Sequence, residues 1–286
     1  MSIQWFPGHM NKARKLLAEY AHKIDGVLEI VDARAPESSR NPLIEEIFAK
    51  KPRLLLMNKS DLADRAVVKE WQAEYERQGL KSLVISVKNR HNLERLKGEA
   101  AALAKAGKTR EKPPRLMIAG VPNCGKSSLI NALARQKKTK IADSPGVTRE
   151  VSLYKLGSLD LIDSPGTLWP NLSDQMAAAR LAALGSIKDD VYLPSEALAL
   201  LYPYLRAEYE RELCARYQAQ IPADYAHFLS LVAARFGRNE QDSEALAMIV
   251  FKDLRALKLG PICLERPGAD HCVNEEGPLA LNKMAE

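Results

Sequence analysis

The chain has 286 residues, 46% of them hydrophobic and 27% charged, which is enough to bury a real core in one or two domains. No apolar run approaches the roughly 18–20 residues that span a bilayer, and the opening MSIQWFPGHMNKARKL has no signal-peptide block, so a cytoplasmic protein without membrane attachment is expected. Cys124, Cys214, Cys263 and Cys272 form no CxxC pair, which argues against a disulfide scaffold or a zinc site. The net charge of +6 is uneven: residues 176–286 hold 12 Lys and Arg against 16 Asp and Glu, a balance of −4, which leaves +10 for residues 1–175. Clusters at Lys12, Arg14, Lys15 and Lys23, at 108–115 and at 135–140 fit a polyanionic partner such as RNA or DNA, with solvated surface charge as the plainer alternative.

Along the chain, residues 10–23 read as an amphipathic helix with Leu16, Leu17 and Tyr20 near one face. GVLEIVDA (26–33), RLLLMNKS (53–60), KSLVISVK (81–88), RLMIAG (115–120) and LDLIDS (159–164) are short apolar runs that end in polar or turn residues, as buried parallel strands do. Helical patterns at about 42–50, 65–78, 92–106 and 126–135 separate most of them, so a mostly parallel α/β sheet with right-handed crossovers is predicted. VSLYKLG (151–157) reads as an antiparallel edge strand in a hairpin with LDLIDSPG. AKAGKTREKPPR (104–115) has linker composition. Strand signals then stop: residues 1–175 form one predicted domain, and residues 176–286 a second, α-helical one with an irregular tail from about 266.

GVPNCGKSS (120–128) has the GxxxxGK[ST] spacing between a strand and a helix. Glycines let backbone amides curl around a phosphate, and the helix that follows adds its N-terminal dipole. Pro122, Asn123, Cys124, Gly125 and Ser128 then line the nucleotide, Lys126 reaches the β- and γ-phosphates, and the Ser127 hydroxyl ligates Mg²⁺. Asp163-Ser-Pro-Gly166 is a DxxG pattern: Asp163 would hold a Mg²⁺-bound water and the Gly166 amide would sense the γ-phosphate. Between them, Thr148 in SPGVTRE would supply a second hydroxyl to Mg²⁺ from a switch loop.

NKSD (58–61) follows a strand that precedes the phosphate loop. A carboxylate at Asp61 can accept from both N1–H and the 2-amino group of guanine, a pair of donors that adenine lacks. Asn58 would contact the base and brace the loop, Lys59 would lie across the ring, and Ser60 completes the segment. Asp61 also stands where a helix cap would. One strand later, Ser86 and the Val87 backbone are placed to back the base. The base reader thus precedes the phosphate loop, an order the sheet accommodates if 104–115 joins the original ends and a new break opens after the DxxG strand.

These segments, with WFPGHMNKA (5–13), VDAR (31–34), RNP (40–42), PGVTR, DSPGTLWP, GSIKDD (185–190) and KLGPICLE (258–265), resemble the circularly permuted GTPases, specifically the ribosome biogenesis GTPase A (YlqF) family. The resemblance implies a circularly permuted P-loop GTPase domain followed by a helical RNA-binding domain. It also implies a GTP- and GDP-binding factor that acts late in assembly of the large ribosomal subunit, touches its rRNA and proteins, and is stimulated by it. A monomer is expected. Leu168, two residues after Gly166, cannot orient water, and the resemblance points to His9 for that task, against an alternative role in anchoring the N-terminal segment. Asn123 matches GTPases that place K⁺ beside the phosphates. The competing readings are a nucleotide-gated RNA-binding factor with incidental hydrolysis, and a GTPase acting on small-subunit or transfer RNA.

Overall fold

The computed structural model describes residues 14–15, 17–106, 113–134, 140–141, 152–155, 159–164 and 174–268. His9, Thr148, Gly166 and Leu168 lie outside them, as do residues 107–112 of the predicted linker and 135–139 of the basic cluster at 135–140. Among the described residues, seven strands, β1 (Gly26–Asp32), β2 (Arg53–Asn58), β3 (Ser82–Val84), β4 (Arg115–Ala119), β5 (Lys140–Ile141), β6 (Ser152–Lys155) and β7 (Asp160–Asp163), form one sheet in the order β3-β2-β1-β4-β7-β6-β5. The five strands from β3 to β7 are mutually parallel; β6 runs antiparallel to both β7 and β5.

Every residue of β1 is buried, because the strand lies mid-sheet with helices on both faces. Alternate side chains go to opposite sides. Leu28 and Ile30 join Leu56, Ile118 and Leu161 beneath α3 (Leu93–Ala106) and α4 (Lys126–Ala134). On the other face Val27 packs with Ile44 and Phe48 of the α1 region (α1 Pro42–Ile47), and Val31 packs with Val67 and Trp71 of α2 (Arg65–Arg77). Asn41 caps α1 and Asp64 caps α2 by accepting from the amides of Leu43 and Ala66.

The hairpin of β6 and β7 forms, but β6 is not the edge: the two-residue β5 pairs outside it, too short to leave a periodic signature in sequence. In KSLVISVK only Ser82–Val84 is strand, because Ser86 turns away to exchange backbone hydrogen bonds with His91.

Beyond Asp174 the described residues are helix and loop: α5 (Gln175–Ala183), α6 (Pro194–Tyr217), α7 (Tyr225–Phe236) and α8 (Ser243–Arg255). Their apolar faces merge with the sheet's, so one core cluster runs from Leu28 and Leu129 through Leu181 to Phe251. After α8 the chain returns to the sheet. Leu264 donates its amide to the Arg34 carbonyl (2.6 Å), and Trp71 Nε1 donates to the Glu265 carbonyl (3.2 Å). The Glu265 carboxylate accepts from the amides of Glu37 (2.6 Å) and Ser38 (3.1 Å) and pairs with Arg180 of α5 (3.1 Å). KLGPICLE is therefore a strap that ties the helices to the β1–α1 loop, with Cys263, Leu264 and Glu265 buried.

Candidate nucleotide-binding site

The chain connections diverge between β1, which leads to β2, and β4, which leads towards β7, and in open α/β sheets ligands bind outside the carboxyl ends of strands at such a point. Asp32, Asn58, Gly120 and Asp163 all stand at those ends. Segments 58–61 and 120–128, about sixty residues apart in sequence, are joined there. Asn58 Nδ2 donates to the Cys124 carbonyl (2.9 Å), while Asn58 Oδ1 accepts from the Val87 amide (3.2 Å). Both ends of one buried side chain are used, which braces the phosphate loop, the NKSD turn and the 86–87 loop together. Gly125, at φ +107°, packs so closely that a Cβ there would collide with Asn58 Nδ2.

Asp61 is not the cap of α2, since Asp64 has that place. Instead Ser86 Oγ donates to Asp61 Oδ1 (2.6 Å), and the Ser60 amide donates to the Ile85 carbonyl (3.2 Å), so the carboxylate is held at the mouth of the 86–87 loop. Lys59 has a left-handed φ of 62°, and its ammonium meets Asp32 Oδ2 at 2.9 Å. Asp32 also takes a two-pronged bond from Arg34 (2.9 and 2.8 Å). Burial alone would push the Asp32 carboxyl up, but the charges and hydrogen bonds of Arg34 and Lys59 outweigh it and hold it well below the usual carboxylate range. Asp32 is a site residue that motif reading missed; its signal is an acid ending an apolar strand beside NKSD.

On the phosphate side, the Lys126 ammonium is buried within the loop and donates to the carbonyls of Gly120 and Val121 (both 2.8 Å). Cys124 is buried and its thiol is pushed up by burial, so it serves as packing rather than as a nucleophile. Ser127 and Ser128 open α4 with exposed side chains, and Pro122 is half-buried. Asn123, exposed and at φ 59°, donates Nδ2 to the Gly185 carbonyl beyond α5 (2.6 Å), a contact that sequence did not foreshadow.

Asp163 is buried at the end of β7, and its Oδ1 has no hydrogen-bond partner among the described residues. Burial raises its pKa to about 6, with Lys126 pulling the other way. An orphaned carboxylate oxygen within the field of Lys126 fits Mg²⁺, which binds through one or two protein oxygens plus substrate phosphates. Among the described residues no cluster of three or more His, Cys, Asp or Glu suggests a metal cage, and no helix is long and apolar enough to cross a membrane.

A family model described as a 50S ribosome-binding GTPase matches residues 115–229, a stretch that holds the phosphate loop but not 58–61. Ribosome biogenesis GTPase A of Bacillus pumilus is 38% identical over 280 residues, covering 93% of this chain and 99% of the relative. Mitochondrial ribosome-associated GTPase 1 of Bos taurus is 31% identical, covering 92% of this chain and 88% of its own length. The crystal structure of GNP-bound YlqF from T. maritima has the same fold, with a TM-score of 0.67 over 90% of this chain and 99% of that one, at 22% identity. The chain belongs to the ribosome biogenesis GTPase A family and is a GTPase with a circularly permuted nucleotide-binding domain.

Proposed function

We propose that this protein binds the large ribosomal subunit late in its assembly, hydrolyses GTP when docked there, and leaves in the GDP form. The observation that carries the nucleotide half of this reading is the Asn58 brace, which sets the NKSD turn and the phosphate loop around one pocket. Family membership and the matched description of a 50S ribosome-binding GTPase support the choice of partner.

In this reading Asp61 accepts from guanine, with Ser86 fixing its orientation and Asn58, Lys59, Ser60 and Val87 shaping the base pocket. Lys126 exchanges its two loop carbonyls for phosphate oxygens. Ser127, Thr148 and Asp163 would hold Mg²⁺, which supplies charge neutralisation at the phosphates. The Gly166 amide senses the γ-phosphate. Asn123 would present its oxygen to K⁺, in place of an arginine from a partner. Leu168 cannot polarise water, so turnover is slow until docking, when His9 orients the attacking water. The +10 half, residues 1–175, supplies most phosphate contacts to rRNA, and the 176–286 half adds a helical RNA-binding surface. The protein works in the cytoplasm as a monomer.

Co-sedimentation with separated subunits, run with GTP, GDP and a non-hydrolysable analogue, tests the partner. Retention on large subunits with the analogue and release with GDP are expected; binding to small subunits alone would overturn the assignment. His9→Ala should keep binding and lose stimulation, and equal rates in Na⁺ and K⁺ buffers would remove the K⁺ site.

A further inference from the structure

The contact between Asn123 and Gly185 joins the phosphate loop to the first turn beyond α5. That turn is tightly specified. Gly185 adopts φ +74° and closes the helix, its amide on the Ala182 carbonyl (2.9 Å) and the Ser186 amide on the Leu181 carbonyl (2.8 Å). Arg255, from the last turn of α8, then fills the remaining space. Its Nε donates to the Ala183 carbonyl (2.8 Å), its Nη2 to the Ala182 carbonyl (2.6 Å), and its fork grips the Asp189 carboxylate (3.1 and 2.9 Å). A Cβ on Gly185 would sit 3.3 Å from Arg255 Nε, so the guanidinium lies directly against the turn. A lysine could not match this, because three acceptors in fixed directions need a planar fork.

We propose that Arg255 is a positioning residue for GTP hydrolysis, acting through the Gly185 carbonyl on Asn123. An amide is planar, so holding Nδ2 on that carbonyl fixes Oδ1 as well, and with it the oxygen offered beside the phosphates. The inference deepens the K⁺ reading of Asn123 and rests on it for the identity of the ligand, but not for the mechanical link. It also gives the helical half a route to the phosphates that does not pass through the switch loop: whatever shifts α8 against α5 moves the Gly185 carbonyl.

The test is a double-mutant cycle in the full-length chain, Arg255→Ala and Asn123→Ala singly and together. Readouts are kcat, nucleotide affinity, the K⁺ concentration for half-activation, and hydrogen exchange of residues 120–128 in nucleotide-free protein. Loss of one oriented hydrogen bond predicts that Arg255→Ala lowers kcat about two- to tenfold, with a matching rise in the K⁺ requirement. Exchange at 120–128 should quicken, nucleotide affinity should stay nearly constant, and none of these should change further in the Asn123→Ala background. Equal fold losses in both backgrounds, or unaltered exchange and kcat in folded Arg255→Ala, would overturn the proposal. Should Arg255→Ala fail to fold, Arg255→Lys keeps the charge and should show a smaller loss that also vanishes with Asn123→Ala. A wild type indifferent to K⁺ would sink the cation reading alone, since exchange and the cycle still decide the link.

Discussion

Asn58 donates to the Cys124 carbonyl and accepts from the Val87 amide, so one side chain carries the junction between the base side and the phosphate side of the pocket. Asn58→Ala leaves the buried Cys124 carbonyl and the half-buried Val87 amide without their partners, a cost of about 1–3 kcal/mol each at most. Guanine nucleotide affinity should fall about 10- to 100-fold, measured with a fluorescent GDP analogue. Gly125→Ala should mimic it, because the added methyl drives Asn58 out of place. Normal affinity in both variants would show that the brace is dispensable.

Asp61→Asn should shift preference from guanine to xanthine, whose 2-position is an acceptor. The discrimination at stake is about 10⁴-fold. Ser86→Ala removes the hydroxyl that orients Asp61 and should weaken GTP binding by a smaller factor, about 5- to 10-fold, with no gain for xanthine. Competition binding with GTP, XTP and ATP separates the two roles.

Asp163 couples stability to function. Its pKa rises from 3.8 to about 6 through burial, so above pH 6 the folded state holds a carboxylate it disfavours. The sign follows from linkage: a carboxyl with a raised folded pKa costs stability above that pKa, and the cost fades as pH falls from 6 towards 3.8. In chelator-treated, nucleotide-free protein, Asp163→Asn should therefore be more stable at about pH 8, by roughly 1–2 kcal/mol, with the gap closing below about pH 5. The same variant should lose Mg²⁺-dependent hydrolysis. Denaturant melts across that pH range check the first claim and phosphate release checks the second.

Glu265 should matter for stability far more than its distance from the nucleotide suggests. Its buried carboxylate faces the buried Arg180 guanidinium and the amides of Glu37 and Ser38. Glu265→Ala should cost about 3–5 kcal/mol, as removal of one member of a buried ion pair does. Glu265→Gln, which keeps an acceptor oxygen for the amides, should cost less. Thermal melts of the two variants provide the comparison.

The most legible parts of this protein were those whose meaning is local. GVPNCGKSS and NKSD each concentrate their chemistry in a few adjacent residues, and strands buried on both faces betray themselves as apolar runs such as GVLEIVD. What stayed hidden was pairing across the chain. Nothing in PICLE says that Leu264 will bond to Arg34 or that Glu265 will meet Arg180. Likewise Asp32 looks like an ordinary strand end until the fold sets it 2.9 Å from Lys59. Asn123 reads as a phosphate-loop residue, and its tie to Gly185 depends on where a helical segment some sixty residues later happens to dock.

The strap at residues 258–265 also dictates a schedule during translation. A polypeptide emerging from its N-terminus releases β2 with the 58–61 turn before the phosphate loop, while Glu265 appears only after α8 is complete. The Arg180–Glu265 pair cannot form before then, so a stalled or prematurely terminated product would present the surface around Ala33 and Trp71 uncovered to chaperones and proteases. Only a chain that has grown past Glu265 can make this tie.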